Sequence, residues 1–346
     1  MAGDTGWGEP EESPQGPAVT PAVPTPGIIP LRPIGAGEII GGAFTAVRRN
    51  PKATLGISAA AMVTYGVFLL APRMMIISLG FRVDYGAGIA HRPQVSMTGH
   101  DVPAEVVVAL LLGGIYLLLS GMLTAVIGSL VLGERISAGQ AWRIAFPRLP
   151  ALIGAVLLPG VSLAGMWGIY ALTGIGIRLV SSEGPMVIFF VIAGVPLFAV
   201  TVWLLLSLTL ALQAVVLEHA DPRTALRRSF RLIRGSGWRV FGILLLVGFI
   251  LGIVSDIINL PLQLLADVLT RNALHPPTSA IIVGAASNVL AAAITVPVTA
   301  GVLVLLYVDL RIRKEGLDLA LQAAAQNEST PGSESTTLWR PPASPG

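Results

Sequence analysis

Three times in the chain, a short amphipathic stretch that carries basic residues runs directly into a long apolar stretch. The amphipathic stretches are Gly37–Pro51, Ser137–Pro150 and Arg223–Arg239. Two apolar stretches follow each of them, and about 20 apolar residues in a helix cross the hydrocarbon core of a bilayer. The pattern predicts an all-α integral membrane fold with six transmembrane helices arranged as three hairpins. Each hairpin is predicted to be preceded by an amphipathic helix on the cytoplasmic surface of the membrane.

The apolar stretches set the boundaries of the six predicted spans. These spans are residues 53–73, 104–132, 151–180, 185–216, 240–262 and 279–309. The fifth span is the least regular, because Asp256, Asn259 and Pro261 interrupt it. We also consider that this span ends near Ile258 and that the chain continues as an interfacial segment to Leu269.

Composition agrees with a membrane domain and sets limits on the chemistry. Hydrophobic residues make up 53% of the chain and charged residues 12%, whereas about 25% of a soluble domain is charged. The chain has no cysteine, which excludes disulfides and thiolate chemistry. It also carries no phosphate loop, metal-ligand cluster or nucleophile motif, so we expect no cofactor and no metal. The membrane domain is predicted to cover residues 30–320. Residues 1–29, which are acidic and Pro-rich, and residues 321–346 are predicted to be disordered tails.

The basic residues predict the orientation of the spans. Seventeen of the 22 lysines and arginines fall on the side that holds both termini and the three amphipathic stretches. Loops rich in Lys and Arg stay in the cytoplasm. Both termini are therefore predicted to be cytoplasmic, which agrees with an even number of spans.

The third amphipathic stretch separates its faces most clearly. On a helical wheel, one side holds Leu226, Phe230, Ile233 and Leu232, together with Ala225 and Ser229. Five arginines fill the opposite side, namely Arg223, Arg227, Arg228, Arg231 and Arg234. Asp221 and Pro222 are expected at the N-cap and the first helical position. Because arginines near an anionic surface are attracted to it, we predict that these five bind anionic lipid headgroups, and we expect no nucleic-acid partner.

The first and second amphipathic stretches carry helix-start signals. Ser137 and Gln140 form a capping-box pattern. Glu38 is interpreted as a first-turn acid favoured by the helix dipole, with a charge partnership with an arginine as the alternative. A weak alignment of three phenylalanines suggests a threefold internal repeat. The aligned residues are Phe44, Phe146 and Phe230. The alternative is that basic amphipathic helices recur at the cytoplasmic face of any multi-pass protein.

Acidic residues at the predicted cytoplasmic ends of spans have arginines as neighbours. Glu218, Asp221 and Asp309 are such residues, and Asp309 stands beside Arg311 and Arg313. They are predicted to form an interfacial layer of ion pairs. Because exposed ion pairs contribute little stability each, the main task of this layer would be to fix how the amphipathic helices dock.

A second group of polar residues lies inside predicted spans. Asp256 and Asn259 are spaced to share one face of the fifth span, and Asn288 lies in the sixth. Polar and ionisable residues within a membrane are costly and often mark a transport pathway. However, Asp256 is about 25 Å along the helix from Arg239, close to the far interface, where it can be hydrated. Both interpretations stay open.

Three segments of the chain resemble a known family. They are PLRPIGAGEIIGGAFTAVRRNP, VVLEHADPRTALRRSFRLIRGSGWRVFGI and LLYVDLRIRKEGLDL. Over residues 28–320 the chain resembles the bacterial glycerophosphoryl diester phosphodiesterase membrane-domain family. The resemblance implies a bacterial inner-membrane location. In larger members such a region precedes a catalytic TIM barrel, which needs about 250 residues, and no such barrel follows residue 320. We therefore expect this chain not to be an enzyme.

Two histidine pairs imitate the motifs of the barrel enzymes. These are His91-Arg92 and His100-Asp101, both in the loop predicted to lie outside the cell between the first two spans. No strand pattern or acidic cluster surrounds them, so we interpret them as ordinary polar loop residues.

The sequence therefore favours a multi-pass protein with a non-catalytic role, as a scaffold or partner in envelope or lipid physiology. The alternative is a small-molecule or lipid transporter with a polar site near Asp256 and Asn288. A third possibility, an intramembrane enzyme, ranks last. A transporter should have a polar cavity within the membrane, whereas a scaffold should have a closed bundle with its polar surface in the amphipathic layer.

Overall fold

The computed structural model describes residues 34–78, 85–86, 94–95, 102–180, 183–270, 278–317 and Trp339. The helices in these residues are α1 (Ala36–Arg49), α2 (Pro51–Ser78), α3 (Val102–Val131), α4 (Ala138–Ala145), α5 (Leu149–Val180), α6 (Glu183–Leu208), α7 (Ala211–Leu217), α8 (Pro222–Ile233), α9 (Gly237–Thr270) and α10 (Thr278–Glu315). A 3₁₀ turn, Phe146–Arg148, joins α4 to α5. Two short strands, β1 (Tyr85–Gly86) and β2 (Gln94–Val95), pair antiparallel. Apart from Trp339, the predicted tails at 1–29 and 321–346 lie outside the described residues.

The prediction of six helical segments able to span a membrane is confirmed. Within the described part of the chain, six helical segments are long and apolar enough to cross a membrane. They are α2, α3, the stretch from α4 to α5, the stretch from α6 to α7, α9 and α10. Helix α2 packs against α3, α5 against α6, and α9 against α10. Helix α10 also contacts α1, α2 and α3, which makes it central to the bundle.

Short helices occur where the three amphipathic stretches were predicted. Helices α1, α4 and α8 each precede a long helix, respectively α2, α5 and α9. We call the end of the bundle that carries these three helices the basic end. The capping box of α4 is present, because Ser137 N–H donates to Gln140 Oε1 at 2.8 Å and Gln140 N–H donates to Ser137 Oγ at 3.3 Å. Glu38 accepts the Gly35 N–H at 2.8 Å, as a first-turn acid does. Asp221 is the N-cap of α8, although its side chain makes no cap hydrogen bond.

The fourth predicted span is broken near its end. Helix α6 ends at Leu208, and α7 begins at Ala211. Ser229 of α8 fills the break: its Oγ accepts the Leu210 N–H at 3.2 Å and donates to the Ser207 carbonyl at 2.8 Å. Ser229 is fully buried, and buried backbone groups must be paired. One side chain of α8 thus replaces hydrogen bonds that the break removes.

Helix α9 is continuous through the polar residues of the predicted fifth span. Helix α9 runs without a break from Gly237 through Pro261 to Thr270, so the helix itself does not end near Ile258, and the point at which the span leaves the membrane stays a prediction. Pro261 lacks one N–H, but ending the helix would leave several backbone groups without partners in an apolar environment. The helix therefore tolerates the proline.

Packing is concentrated in the half of the bundle next to the basic end. Leu123 and Ile127 near the end of α3 are fully buried, as is Leu305 in α10. In contrast, Leu179 of α5 is 81% exposed and Ile192 of α6 is 69% exposed. Exposed apolar side chains of this density suit hydrocarbon surroundings. The tertiary core therefore lies at the basic end.

Helix α1 belongs to this core. A Cβ placed on Gly301 of α10 would lie 2.9 Å from the Ala43 Cβ of α1. Only glycine at position 301 permits this close approach. Residues Ile39, Ala43 and Ala46 of α1 are fully buried. Helix α1 thus packs directly against the C-terminal half of α10.

Candidate functional site

The basic end contains a cluster of ionisable side chains, all buried except the half-buried Glu315. We call it the Arg228 cluster, and its members are Glu218, Arg228, Tyr307, Arg311 and Glu315. Arg228 is 4% exposed. Its Nε is ion-paired with Glu218 Oε2, and its Nη2 lies 2.7 Å from Glu315 Oε2. Arg311 Nε lies 3.1 Å from Glu315 Oε2, and the Tyr307 hydroxyl donates to Glu218 Oε1. Two arginines and two carboxylates therefore balance each other within one network.

Local structure explains how the cluster assembles. Glu218 caps the end of α7, and His219 adopts a left-handed conformation with φ of 60°. This turn directs the chain into α8, which carries Arg228. Helix α10 supplies the other three members, which are spaced four residues apart and so lie on one face. The cluster thus joins the ends of α7 and α10 to α8.

Arg228 is charged despite its burial. Burial by itself lowers the pKa of the Arg228 guanidinium. The Tyr307 hydroxyl and the two carboxylates of the cluster outweigh burial and raise this pKa above its ordinary value. A buried charge that stays ionised must keep its partners, so the cluster constrains where α8 can dock.

A second group, the Asp309 cluster, consists of the Ile34 backbone, Arg239, Asp309 and Arg313. The Asp309 carboxylate is fully buried. It accepts the Ile34 N–H at 2.9 Å, Arg239 Nη1 at 2.6 Å and Arg313 Nε at 2.9 Å. Arg239 Nη2 also donates to the Ile34 carbonyl at 2.7 Å. The cluster clamps the chain just before α1 to the start of α9 and the end of α10.

The predicted ion-pair layer is thus present at Glu218 and Asp309, but its character differs from the prediction. Both carboxylates are buried, whereas the sequence interpretation assumed exposed pairs. Asp221, which was assigned to the same layer, is exposed. The sequence spacing of Glu218 and Arg228 gave no sign that they pair, because the turn at His219 brings them together.

One of the five arginines predicted to face lipid headgroups does not do so. Arg223, Arg227, Arg231 and Arg234 are exposed on α8, but Arg228 is buried. Its neighbours three residues before and four residues after are Ala225 and Leu232, both buried. The buried face of α8 therefore includes Ala225, Ser229, Leu232 and Ile233 of the predicted apolar side, and it extends beyond that side to Arg228. Leu226 and Phe230 are half-buried, and Ile233 is buried.

The three polar residues predicted within spans have different surroundings. Asp256 is exposed, and Asn288, also exposed, donates to the Gly284 carbonyl of its own helix at 2.8 Å. Asn259 Oδ1 is buried without a hydrogen-bond partner. Among the residues that the structure describes, no hydrogen bond or ion pair links the three. A pathway through them stays a prediction.

Cavities at the basic end are small. An apolar gap between α1, α9 and α10, lined by Phe44, Val247 and Val298, is too narrow for water. A crevice of about 50 Å³ lies between α3, α4 and α7, and Trp339 forms part of its wall. His91 and His100 lie outside the described residues. Within those residues, no group of three His, Asp or Glu side chains is placed to hold a metal ion.

The six apolar helices and their buried charged end define a multi-pass membrane protein. The chain belongs to the family described as a domain of unknown function (DUF7847), which matches residues 34–310. This match begins at Ile34 and includes Asp309, so it spans the Asp309 cluster almost completely. Neither the curated proteins nor the solved structures contain a match to the chain.

Proposed function

We propose that the protein is a non-catalytic scaffold of the bacterial inner membrane, with a role in envelope or lipid physiology. The division of arginines on α8 carries the proposal. Arg228 is paired inside the bundle, whereas Arg223, Arg227, Arg231 and Arg234 are exposed. The buried arginine fixes the helix, and the exposed ones form a basic surface for anionic lipid headgroups.

In this proposal the bundle consists of three hairpins, and α1, α4 and α8 lie in the headgroup region at the cytoplasmic surface. The pairwise packing of α2 with α3, α5 with α6 and α9 with α10 supports the hairpins. The concentration of buried charge at the basic end supports an interfacial position for that end. Charged groups are least costly near the interface.

Lipid binding tests the proposal. Replacing Arg223, Arg227, Arg231 and Arg234 together by glutamine should weaken binding to phosphatidylglycerol at least tenfold. The reason is that each arginine near an anionic surface contributes about 1 kcal/mol. The measurement is titration of the purified protein with nanodiscs or micelles that contain phosphatidylglycerol or only phosphatidylcholine. Unfolding temperature should change little, because these side chains are exposed.

Arg178→Gln is the control, since Arg178 lies at the opposite end of the bundle, near the end of α5. This variant should bind phosphatidylglycerol as the unchanged protein does. If the fourfold variant keeps its preference for anionic lipid, the basic surface of α8 is not the lipid site and the proposal fails.

Topology offers a second test. The distribution of Lys and Arg supports a cytoplasmic location for the basic end and both termini. Reporter fusions within residues 80–102 should be active on the outside, and fusions after Leu310 on the inside. A fusion after Leu310 that reports an outside location would overturn the orientation.

The resemblance to the phosphodiesterase membrane-domain family leads to a third test. The proposal takes over the membrane region from that family and not the catalysis. Purified protein should hydrolyse no glycerophosphodiester with any divalent metal, and alanine at His91 or His100 should change neither lipid binding nor unfolding temperature. Metal-dependent hydrolysis that either substitution abolishes would contradict a non-catalytic role.

A transporter is the second candidate, and one observation favours it. Asn259 Oδ1 is buried in α9 without a partner, and such atoms are often paired with water or a ligand. Movement of a dye-labelled phospholipid across proteoliposomes that Asn259→Leu abolishes would place the transporter ahead of the scaffold. Equal rates with and without the protein would favour the scaffold.

A further inference from the structure

Trp339 occupies an unexpected position in the fold. It lies 22 residues beyond Leu317 in the sequence, yet its side chain is only 6% exposed. Together with Ser129 of α3, Ile144 of α4 and Leu217 of α7, it lines a crevice at the basic end. A residue of the C-terminal tail thus forms part of the core cluster of the membrane domain.

A hydrogen bond to its backbone carbonyl also holds Trp339, independently of the packing of its side chain. Arg311 Nη1 donates to the Trp339 carbonyl at 3.2 Å. Arg311 is 2% exposed and belongs to the Arg228 cluster. A buried guanidinium needs acceptors for its five N–H groups. The tail therefore supplies an acceptor that the cluster uses.

The composition of the tail agrees with a single anchoring residue. Trp339 is the only aromatic residue after Tyr307, in a stretch dominated by Ser, Thr, Pro and Ala. Segments of such composition carry few aromatics and form no core of their own. A lone tryptophan supplies a large apolar surface and little conformational entropy loss. A chain of 22 residues is also long enough to reach any part of the basic end.

We propose that the crevice between α3, α4 and α7 is a docking site for the C-terminal tail of the same chain, with Trp339 as its anchor. Docking couples the tail to the Arg228 cluster through Arg311. The inference goes beyond the scaffold proposal and does not depend on lipid binding, because the exposed arginines of α8 take no part in the crevice.

Binding in trans provides the first experiment. The chain is truncated after Thr330, and a fluorescein-labelled peptide of residues 331–346 is titrated against it in detergent. We expect saturable binding, at least tenfold weaker binding of the Trp339→Ala peptide, and an intermediate affinity for Trp339→Phe. The full-length chain should bind the peptide at least tenfold more weakly than the truncated chain, because its own tail occupies the crevice. Equal binding of the original and Trp339→Ala peptides would overturn the proposal.

Cross-linking tests the intact chain and identifies which tail is bound. Since the chain has no cysteine, Ser129→Cys and Arg340→Cys introduce a single pair for a short bismaleimide. We expect a cross-link within one chain, and at least a fivefold lower yield when Trp339 is replaced by alanine in the same background. Cross-linked dimers as the main product would assign the crevice to the tail of a second copy and overturn docking within the chain. An unchanged yield in the Trp339→Ala background would also overturn it.

Discussion

Replacing Arg228 by alanine is expected to reduce the free energy of unfolding by about 3–5 kcal/mol, because it leaves the buried carboxylate of Glu218 and the half-buried carboxylate of Glu315 with one arginine fewer. Arg228 contacts both carboxylates and is almost completely buried. The measurement is thermal or denaturant unfolding of the purified protein in a fixed detergent.

Arg227→Ala is a matched control, because Arg227 precedes Arg228 on the same helix but is exposed. It should change the free energy of unfolding by less than about 0.5 kcal/mol.

A second variant separates loss of charge balance from loss of packing. Combining Arg228→Met with Glu218→Gln should destabilise less than the sum of the two single changes, since removing both partners leaves less uncompensated charge. Similar losses for Arg227→Ala and Arg228→Ala would show that the cluster does not stabilise the bundle.

Replacing Asp309 by alanine is expected to reduce the free energy of unfolding by about 2–4 kcal/mol, because the Ile34 N–H and two guanidinium groups lose their hydrogen bonds to a fully buried carboxylate. The Ile34 N–H and the guanidinium of Arg239 both donate to this carboxylate. The chain before α1 should therefore detach from α9 and α10. Limited proteolysis should cut near residue 34 at least tenfold faster, in parallel with a lower unfolding temperature.

Asp221→Ala is the control for this change. Asp221 is also an aspartate at the basic end, but it is exposed and its side chain makes no cap hydrogen bond. It should leave the rate of proteolysis near residue 34 unchanged. Asp309→Asn should fall between the two, since it keeps an acceptor and loses the charge. If Asp309→Ala leaves the proteolytic pattern and the unfolding temperature unchanged, the Asp309 cluster does not hold the N-terminal segment.

The two adjacent arginines of α8 illustrate how stability and binding are separated in this protein. Arg228 points into the bundle and should affect unfolding, whereas Arg227 is exposed and should affect lipid binding. Their opposite expected effects arise because one residue along a helix is a rotation of about 100°. The basic end therefore combines an internal clamp with an external basic surface.

Much of the architecture could be predicted from the sequence. The lengths of the apolar stretches predicted six spans, because a helix must satisfy its backbone hydrogen bonds internally in hydrocarbon and needs about 20 residues to cross it. The N-cap of α4 at Ser137 and the start of α8 at Pro222 were also predictable, since capping depends on residues close in sequence. Span length and helix capping are local properties, because they depend on residues that are close in sequence.

The details of the charged end were decided by tertiary structure. Whether Arg228 faces lipid or the core depends on which face of α8 meets α7 and α10, and the helical wheel of one helix does not contain that information. The break between α6 and α7 depends on Ser229, a residue from another helix. Trp339 was assigned to a tail predicted to be disordered, yet it is buried against α3, α4 and α7. In each case the deciding partner is distant in sequence, and burial makes the interaction strong only after the chain has folded.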